Sequence, residues 1–347
     1  MKIIQIGASG HYAYAPEAAK KLRCEYVGIA MGDRSEKNTA MPSLAAYGFS
    51  PARFDTPEEL FEKTDADVLV LNSYMGYNAK YACMALKRGI SVFAEKPIAT
   101  TTDDLKRVIS AYRTANTTAC LVGSRQERVC LCGMFGILDE PWFVCARELS
   151  TGGALGEIRL VHAQKSYRLG TREPFYSQRE LYGGTIPWVS IHAIDWAWRF
   201  SGIRPVEVTA RQSRVANGGN GSLESTACCL FTGENGAMIS VSADYLRPSA
   251  APTHDDDRIR LAGTEGILEV RDRRVFLLDG AGERELPLPG KTESIFERFL
   301  REIETGKPGT VSAMGSFYST YLALCARQSA DTGTTVKTDF DAFLRET

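Results

Sequence analysis

The stretch KIIQIGASGHYAYAPEAAKKLR, residues 2–23, decides the fold class of this chain. KIIQIG has the apolar, β-branched character of a strand, and APEAAKKLR has the composition of a helix. The glycine-rich segment between them predicts a tight turn that leads from the strand into the helix. The stretch therefore predicts the first strand and the first helix of a sheet built from βαβ units.

This alternation of strand and helix continues to about residue 123. DTPEELFEK predicts a helix with Asp55 or Thr56 as its cap and Pro57 at its first position. Strands are predicted for DVLVLN, ISVF and TACLVG, the last at residues 118–123. Because right-handed crossovers join successive strands in such units, the pattern predicts a doubly wound parallel sheet, an α/β fold.

After residue 124 the pattern changes to longer strands joined by turns such as GENG. EIRLVHAQKSY, EVTARQSRV, LESTACCLFT and AMISVSADYL follow one another with few helices between them, which predicts a largely antiparallel sheet. We therefore predict two domains, residues 1–123 and residues 124–347. Two late helical segments, TESIFERFLREIETG and SFYSTYLALCARQSADTG, are expected to pack on the second sheet or back on the first domain.

Composition excludes several classes of partner. The chain has 347 residues, 44% of them hydrophobic and 24% charged, with a formal net charge of -1, so nothing attracts nucleic acid or an anionic membrane. The amino terminus enters a strand without the apolar region of a signal peptide, which predicts a cytoplasmic protein. Several of the nine cysteines lie in apolar segments, and Cys130 and Cys132 are too close for half of a zinc site, so no metal is expected.

The glycine-rich turn is a candidate dinucleotide site. Gly7, Ser9 and Gly10 fit a GxSG variant of the phosphate-binding fingerprint, but Tyr12 stands where the third glycine of GxGxxG would be. The backbone N–H groups of such a turn can receive a pyrophosphate. A tight strand-to-helix turn without a ligand is the alternative interpretation.

The end of the second strand bears on the choice of cofactor. Asp33 lies where an acidic side chain can bind the ribose 2′-OH of NAD. Its neighbours Arg34 and Ser35 could instead hold the 2′-phosphate of NADP. NAD is therefore favoured by a modest margin, and NADP stays open.

The segments EKP at 95–97, GALGEI at 153–158 and GTEGILE at 263–269 carry a resemblance to a known family. Their order and spacing resemble those of the Gfo/Idh/MocA family of NAD(P)-dependent sugar and polyol oxidoreductases, and the likeness extends over nearly the whole chain. The resemblance implies an amino-terminal Rossmann domain, a second domain with a large open sheet, and an active site between them.

Two catalytic residues are implied by the resemblance. The lysine of EKP, here Lys96, lies close to the nicotinamide and the substrate hydroxyl in that family, and a histidine of the second domain, here His192, acts as acid and base. The chemistry agrees, because oxidation of a carbinol needs a base for the hydroxyl proton and a cation beside the developing alkoxide. A solvated lysine and a core histidine are the ordinary alternatives.

The chain departs from the family pattern at two places. The acidic residue usual four positions before the histidine is replaced by Trp188, which can stack on a ring but cannot accept a hydrogen bond. Asp195, one turn after His192, is expected either to orient the imidazole or to belong to a local network. After the strand DVLVLN, the usual TPxxxH pattern is absent, yet Asn72 and Ser73 still stand at a strand end where ligands bind.

The predicted substrate side includes Tyr167 and Arg168, which end the first strand of the second domain. The loop RLGTREPFYSQRELYGG after them is rich in arginine and aromatic residues, a composition that suits a polyol ring, a carboxylate or a contact in an oligomer. The predicted substrate-binding residues are Tyr167, Arg168, Trp188 and Asp195. The predicted cofactor-binding residues are Gly7, Ser9, Gly10, His11, Tyr12, Asp33, Arg34, Asn72, Ser73, Glu95 and Lys96.

These observations predict an oxidoreductase that transfers hydride between nicotinamide and a secondary alcohol or ketone of a sugar, cyclitol or glycoside. Two alternatives stay open: NAD-dependent glycoside cleavage through transient oxidation, and a dinucleotide-binding sensor without turnover. A homodimer or homotetramer formed through the second sheet is expected, as is a small sugar or polyol as the ligand.

Overall fold

The computed structural model of the protein describes residues 1–122, 128–291 and 293–347. The strands are β1 Lys2–Gly7, β2 Glu25–Ala30, β3 Ala52–Arg53, β4 Val68–Asn72, β5 Ser91–Ala94, β6 Leu131–Gly133, β7 Ile158–Tyr167, β8 Pro205–Ser213, β9 Thr226–Gly233, β10 Met238–Asp244, β11 Asp255–Gly263, β12 Gly266–Arg271, β13 Arg274–Asp279, β14 Gly282–Glu285 and β15 Val336–Lys337. The α-helices are α1 Pro16–Lys21, α2 Ala40–Ala46, α3 Pro57–Lys63, α4 Asn78–Leu86, α5 Thr102–Val122, α6 Pro141–Thr151, α7 Arg179–Tyr182, α8 Ile191–Ser201, α9 Ile295–Thr305, α10 Ala313–Thr332 and α11 Phe340–Arg345.

The chain forms two compact units. Unit 1 comprises residues 1–136, 293–320 and 343–347, and unit 2 comprises residues 137–292 and 321–342. The predicted domain boundary between residues 123 and 124 lies outside the described residues, so a division at that point stays a prediction.

Unit 1 contains a six-stranded sheet in the order β3-β2-β1-β4-β5-β6, with every neighbouring pair parallel. The prediction of a doubly wound parallel sheet is therefore confirmed. The strand order reverses between β1 and β4, and Gly7 at the end of β1 lies opposite Asn72 at the end of β4. Such a reversal is where open α/β sheets bind ligands.

One local prediction in unit 1 was wrong. The described part of TACLVG, residues 118–122, is the last turn of α5 and not a strand, and the strand that completes the sheet is β6 at Leu131–Gly133. A short apolar run is compatible with a helix as well as with a strand, because it is too short to show the period of either.

The helix predicted at DTPEELFEK begins as expected. Thr56 rather than Asp55 caps α3, since its side chain accepts a hydrogen bond of 3.1 Å from the backbone N–H of Glu59, and Pro57 holds the first helical position. In the carboxyl-terminal part of unit 1, α9 starts at a capping box formed by Ser294 and Glu297.

Unit 2 contains a nine-stranded sheet in the order β14-β13-β12-β11-β7-β10-β9-β8-β15. Only β7 and β10 are parallel among its neighbouring pairs, so the prediction of a mostly antiparallel sheet is confirmed. Helix α8 packs on β7, β10 and β11, and α6 packs on α8 and β12. The central strands are thus covered on one face by α8, which carries His192.

Among the described residues, no helix combines the length and the apolar character needed to cross a bilayer.

Candidate functional site

The glycine-rich loop after β1 is held against the end of β4. Gly7 has a φ of 80°, and a Cβ there would lie 2.4 Å from the carbonyl oxygen of Asn72, so only glycine fits. The Ser9 N–H donates to the Asn72 carbonyl at 2.7 Å, and the Asn72 amide donates to the Ser9 carbonyl at 3.0 Å. The loop is therefore rigidly placed at the reversal of strand order.

His11 ties the same loop to the EKP segment. Its backbone N–H donates to Glu95 at 2.5 Å, and its Nδ1 lies 2.9 and 3.0 Å from the two oxygens of that carboxylate. Glu95 is fully buried, and its Oε1 also accepts the N–H of Lys96 at 2.9 Å. Burial acts to raise the pKa of Glu95, but the charge of His11 and its hydrogen bonds, together with the charge of Lys96, hold the pKa below its ordinary value.

Lys96 is fully buried, which is unusual for a lysine. It precedes Pro97 through a cis peptide bond, as the resemblance had suggested. The Asn78 amide donates to the carbonyl oxygens of Glu95 and Pro97 at 2.9 and 3.0 Å. The backbone on both sides of Lys96 is thereby fixed by buried hydrogen bonds.

Ser73 is held by an acid that the sequence analysis did not identify. Glu36 is buried and accepts hydrogen bonds from the Ser73 hydroxyl at 2.6 Å, from the Tyr74 N–H at 2.9 Å and from the Gly32 N–H at 3.3 Å. Burial raises the pKa of Glu36 above its ordinary value despite these donors. Its carboxylate links the ends of β2 and β4.

Asp33 lies at the end of β2 with its carboxylate partly exposed. It accepts hydrogen bonds from the side chain and the N–H of Ser35 at 2.7 and 2.8 Å, and these bonds lower its pKa. Arg34 is exposed, and Tyr12 is partly exposed in a 3₁₀ turn at Tyr12–Tyr14.

In unit 2, His192 lies in the first turn of α8 and is buried. Its ring centroid is 6.2 Å from that of Trp196. Asp195 is fully buried, and both of its oxygens accept hydrogen bonds from Nε of Arg199, at 2.8 and 2.9 Å. Asp195 therefore takes part in a local ion pair within the helix.

Trp188 belongs to a π-helical turn, Ile186–Ser190, that leads directly into α8. It is buried and meets the ring of Tyr176 edge to face at a centroid distance of 6.4 Å. Tyr167 stacks on Tyr245 at 6.1 Å and lies 5.1 Å from the ring of His254. Arg168 follows Tyr167, and its N–H donates to the His254 carbonyl at 3.0 Å.

A buried cation beside these rings was missed by the sequence analysis. Lys165 lies opposite Asp257 in the register of β7 and β11, and its Nζ is 2.6 Å from that carboxylate and 3.5 Å from Asp255. The same Nζ lies 4.8 Å over the ring of Tyr167 and 5.6 Å over that of Trp196. No sequence signal marks this group, because its members are distant in the chain and only the strand register pairs them.

Unit 1 thus brings together most of the predicted cofactor residues: Gly7, Ser9, His11, Asn72, Glu95 and Lys96 are joined by direct hydrogen bonds or by chain neighbours. Ser73 follows β4 and Asp33 follows β2, the two strands on either side of β1. Asn78 and Glu36 were not among the predicted residues; Asn78 is the first residue of α4, and Glu36 lies in the segment after β2. Within the described residues, no group of three or more histidine, cysteine, aspartate or glutamate side chains is arranged to hold a metal.

Comparisons with known proteins cover both units. A family model described as the GFO/IDH/MocA C-terminal domain matches residues 143–269, and one described as an oxidoreductase family with an NAD-binding Rossmann fold matches residues 2–124. A solved structure from Thermotoga maritima, described as a "putative oxidoreductase", is 46% identical with a TM-score of 0.92, and the match covers 97% of this chain and 100% of that one.

Two curated relatives are more distant. The trans-1,2-dihydrobenzene-1,2-diol dehydrogenase of Xenopus tropicalis is 22% identical over 221 residues, 63% of this chain and 60% of that protein. An inositol 2-dehydrogenase of Agrobacterium fabrum is 26% identical over 110 residues, 31% of this chain and 33% of that protein. The matched regions therefore span less than two thirds of either relative.

Proposed function

Because the chain belongs to the Gfo/Idh/MocA oxidoreductase family, we propose that it is an NAD-dependent dehydrogenase, with NADP as the alternative cofactor, that acts on a secondary alcohol or ketone of a sugar or cyclitol. The observation that carries the proposal is the burial of Lys96 in a segment that Glu95, His11 and Asn78 fix from both sides. A solvated surface lysine would have none of these supports.

The loop after β1 fits a dinucleotide. The approach of Gly7 to Asn72 leaves no room for a side chain, and Gly10 also has a left-handed φ of 69°, so the backbone of the loop is open to a pyrophosphate. Asp33 would accept a hydrogen bond from the ribose. Asn72 and Ser73 lie at the end of β4, next to the loop after β1. The bound nicotinamide supplies hydride acceptance and donation.

Each catalytic residue has one role in this proposal. Lys96 donates a hydrogen bond to the substrate oxygen and stabilises its negative charge as the hydroxyl proton leaves. His192 takes that proton, since imidazole exchanges protons near neutral pH, and returns it in the reductive direction.

The names of the relatives support a cyclic substrate. Dihydrobenzenediol and inositol are both six-membered rings with neighbouring hydroxyl groups. Trp188 is an aromatic side chain of the kind that packs on the apolar side of such a compound. The cytoplasmic location and assembly through the sheet of unit 2 stay predictions.

The proposal is tested by calorimetry with NAD and NADP, followed by a screen of sugars and cyclitols for the absorbance of reduced nicotinamide. Cofactor binding with turnover supports the proposal. Binding without turnover on a broad panel would instead favour a sensor, and cleavage of a glycoside without net reduction would favour transient oxidation. A chain that binds neither dinucleotide contradicts all three.

Lys96→Ala is the sharpest single test of the catalytic assignment. We expect kcat to fall by about 100-fold or more, because the alkoxide loses its stabilising cation, while dinucleotide affinity stays nearly unchanged. Steady-state kinetics and calorimetry on the same preparation measure both quantities. Lys80→Ala, which removes a half-exposed lysine of the same unit, controls for general effects of the replacement; a wild-type rate in Lys96→Ala would refute the assignment.

A further inference from the structure

Two arginines in the segment that follows β7, Arg168 and Arg172, lie in an unusual environment. The guanidinium carbon of Arg172 lies 4.6 Å over the ring of Tyr245 and 5.3 Å over that of Tyr176. Its Nη2 donates to the backbone carbonyl of Arg168 at 2.8 Å, which keeps the two residues together. Arg168 itself is held at the sheet by its N–H bond to His254 and by a bridge to Leu246.

Neither guanidinium is neutralised. Within the residues that the structure describes, no carboxylate pairs with Arg168 or Arg172, and the buried Nε of each has no hydrogen-bond partner. Other arginines of unit 2 do have such partners: Arg199 pairs with Asp195, and Arg258 pairs with Asp256. Buried guanidinium N–H groups are ordinarily satisfied, so an unsatisfied Nε on each of these two arginines points to a group that can donate to a ligand.

The pair lies beside the predicted substrate residues of the same unit. Tyr176, under Arg172, contacts Trp188, and Trp188 lies in the turn that leads into the helix of His192. Both arginines lie close enough to act on one neighbour: burial first, and then the charge of Arg172 with a contribution from Arg168, lower the pKa of His254 in spite of the nearby carboxylate of Asp255.

We propose that Arg168 and Arg172 bind an anionic substituent of the substrate, a carboxylate or a phosphate, so that the enzyme acts on an acidic sugar or cyclitol. The inference rests on the proposed function and narrows its substrate class. Guanidinium groups match oxyanions with paired, charge-assisted hydrogen bonds. Trp188 is compatible with this, since an uncharged side chain at that position does not repel an anionic ligand.

The test compares matched substrates that differ only in charge. D-glucose with D-glucuronate and D-galactose with D-galacturonate test the carboxylate, and glucose 6-phosphate tests the phosphate, each with NAD. In the wild type we expect a preference for one anionic class. Arg168→Gln and Arg172→Gln should each raise KM for that class by about 10- to 100-fold with little change in kcat, a much larger loss than on the matched neutral sugars.

Controls separate recognition from folding. Arg258→Gln removes an arginine that pairs with Asp256 and should leave the acid-to-neutral ratio unchanged. Since Arg172 also packs between rings, Arg172→Lys is made in parallel; it keeps the charge without the planar fork and should lie between wild type and Arg172→Gln. Melting temperature and NAD affinity confirm that each variant is folded.

Direct binding keeps the inference separate from the proposed function. D-glucuronate, D-galacturonate and glucose 6-phosphate are titrated into the NAD-saturated protein by calorimetry. Anion binding that the arginine variants lose supports the inference even if no compound is turned over. Turnover of neutral sugars with no anion preference, equal losses on acidic and neutral substrates, or no anion binding at all would overturn the inference, and the first of these would leave the proposed function standing.

Discussion

Two buried carboxylates, Glu95 in unit 1 and Asp257 in unit 2, each lie against a cation, yet their ionisation is biased in opposite directions. Glu95 accepts two backbone N–H bonds and faces the ring of His11, and its pKa lies below the ordinary value. Asp257 shares one ammonium, that of Lys165, with Asp255.

Burial raises the pKa of Asp257 to about 6; the ion pair with Lys165 opposes this shift and the charge of Asp255 adds to it. Burial beside a cation therefore does not by itself decide whether a carboxylate is ionised. The number of donors for each carboxylate decides it, because every hydrogen bond to the charged form offsets part of the desolvation cost. In unit 1 several N–H donors contact the single carboxylate of Glu95. In unit 2 the one ammonium of Lys165 is shared by the carboxylates of Asp257 and Asp255.

The largest effect is expected at Glu95. Glu95→Gln leaves one acceptor oxygen for three N–H donors and removes the charge that faces His11, so we expect unfolding to need about 3 kcal/mol less at neutral pH. Because the folded-state pKa is lowered from 4.5, this stabilisation is complete above pH 4.5 and is lost as the pH falls through the folded-state pKa. Urea unfolding at several pH values measures the difference between wild type and variant.

The conservative replacement Glu59→Gln, on the surface of α3, serves as the control for Glu95→Gln, since its carboxylate is partly exposed and pairs with Lys63 and the N–H of Asp55. A difference between wild type and Glu95→Gln that stays constant from pH 7 to the acid limit would contradict a lowered pKa for Glu95.

A smaller effect, a gain rather than a loss in the free energy of unfolding, is expected when Asp257 is replaced. Its pKa is raised from 3.8 to about 6, so the folded protein holds an extra proton between these values and loses stability as the pH rises through that window. Asp257→Asn removes this titration, and we expect the variant to gain about 2 kcal/mol relative to wild type between pH 4 and pH 7. Thermal or urea unfolding across this range measures the change.

Asp256→Asn is the matched control, because Asp256 is the neighbouring carboxylate on β11 and pairs with Arg258. If the difference between Asp257→Asn and wild type were the same at pH 4 and at pH 7, the two carboxylates would not be sharing a single cation as the geometry indicates.

The smallest effect concerns Asp33, a partly exposed carboxylate whose pKa is lowered chiefly by its hydrogen bonds from Ser35. Asp33→Ala should weaken NAD binding about tenfold, because the ribose loses an acceptor, and should weaken NADP binding less. Calorimetry with both cofactors measures the ratio. Arg34→Ala should shift the ratio the other way, and equal losses for both cofactors in Asp33→Ala would exclude ribose recognition by Asp33.

The fold was predictable wherever a local pattern decides local structure. The alternation in residues 2–23 and the signals around Thr56 and Pro57 act over a few residues, and the structure agrees with them. The strand prediction for TACLVG was wrong because an apolar run of that length has no period that distinguishes a helix from a strand. The sheet of unit 2 was predicted as a class, but its strand order was not.

The candidate site also contains residues that the local sequence predicts and residues that it does not. Lys96, Asn72 and Ser73 stand at strand ends, which a βαβ pattern reveals, and the resemblance pointed to Lys96 and His192. The burial of Glu36 and Lys165 could not be predicted from the sequence, since charged side chains are ordinarily solvated. Their burial depends on partners brought from other strands.

By itself the sequence determined two kinds of sheet, a glycine turn at a strand end and a lysine before a proline, because these depend on residues close together in the chain. Only the tertiary structure decided that His11 meets Glu95, that Lys165 meets Asp257 across β7 and β11, and that no carboxylate of the described residues pairs with Arg168 or Arg172. The physical reason is that a charge is stabilised by whatever surrounds it in space, and strand register rather than distance along the chain sets those surroundings.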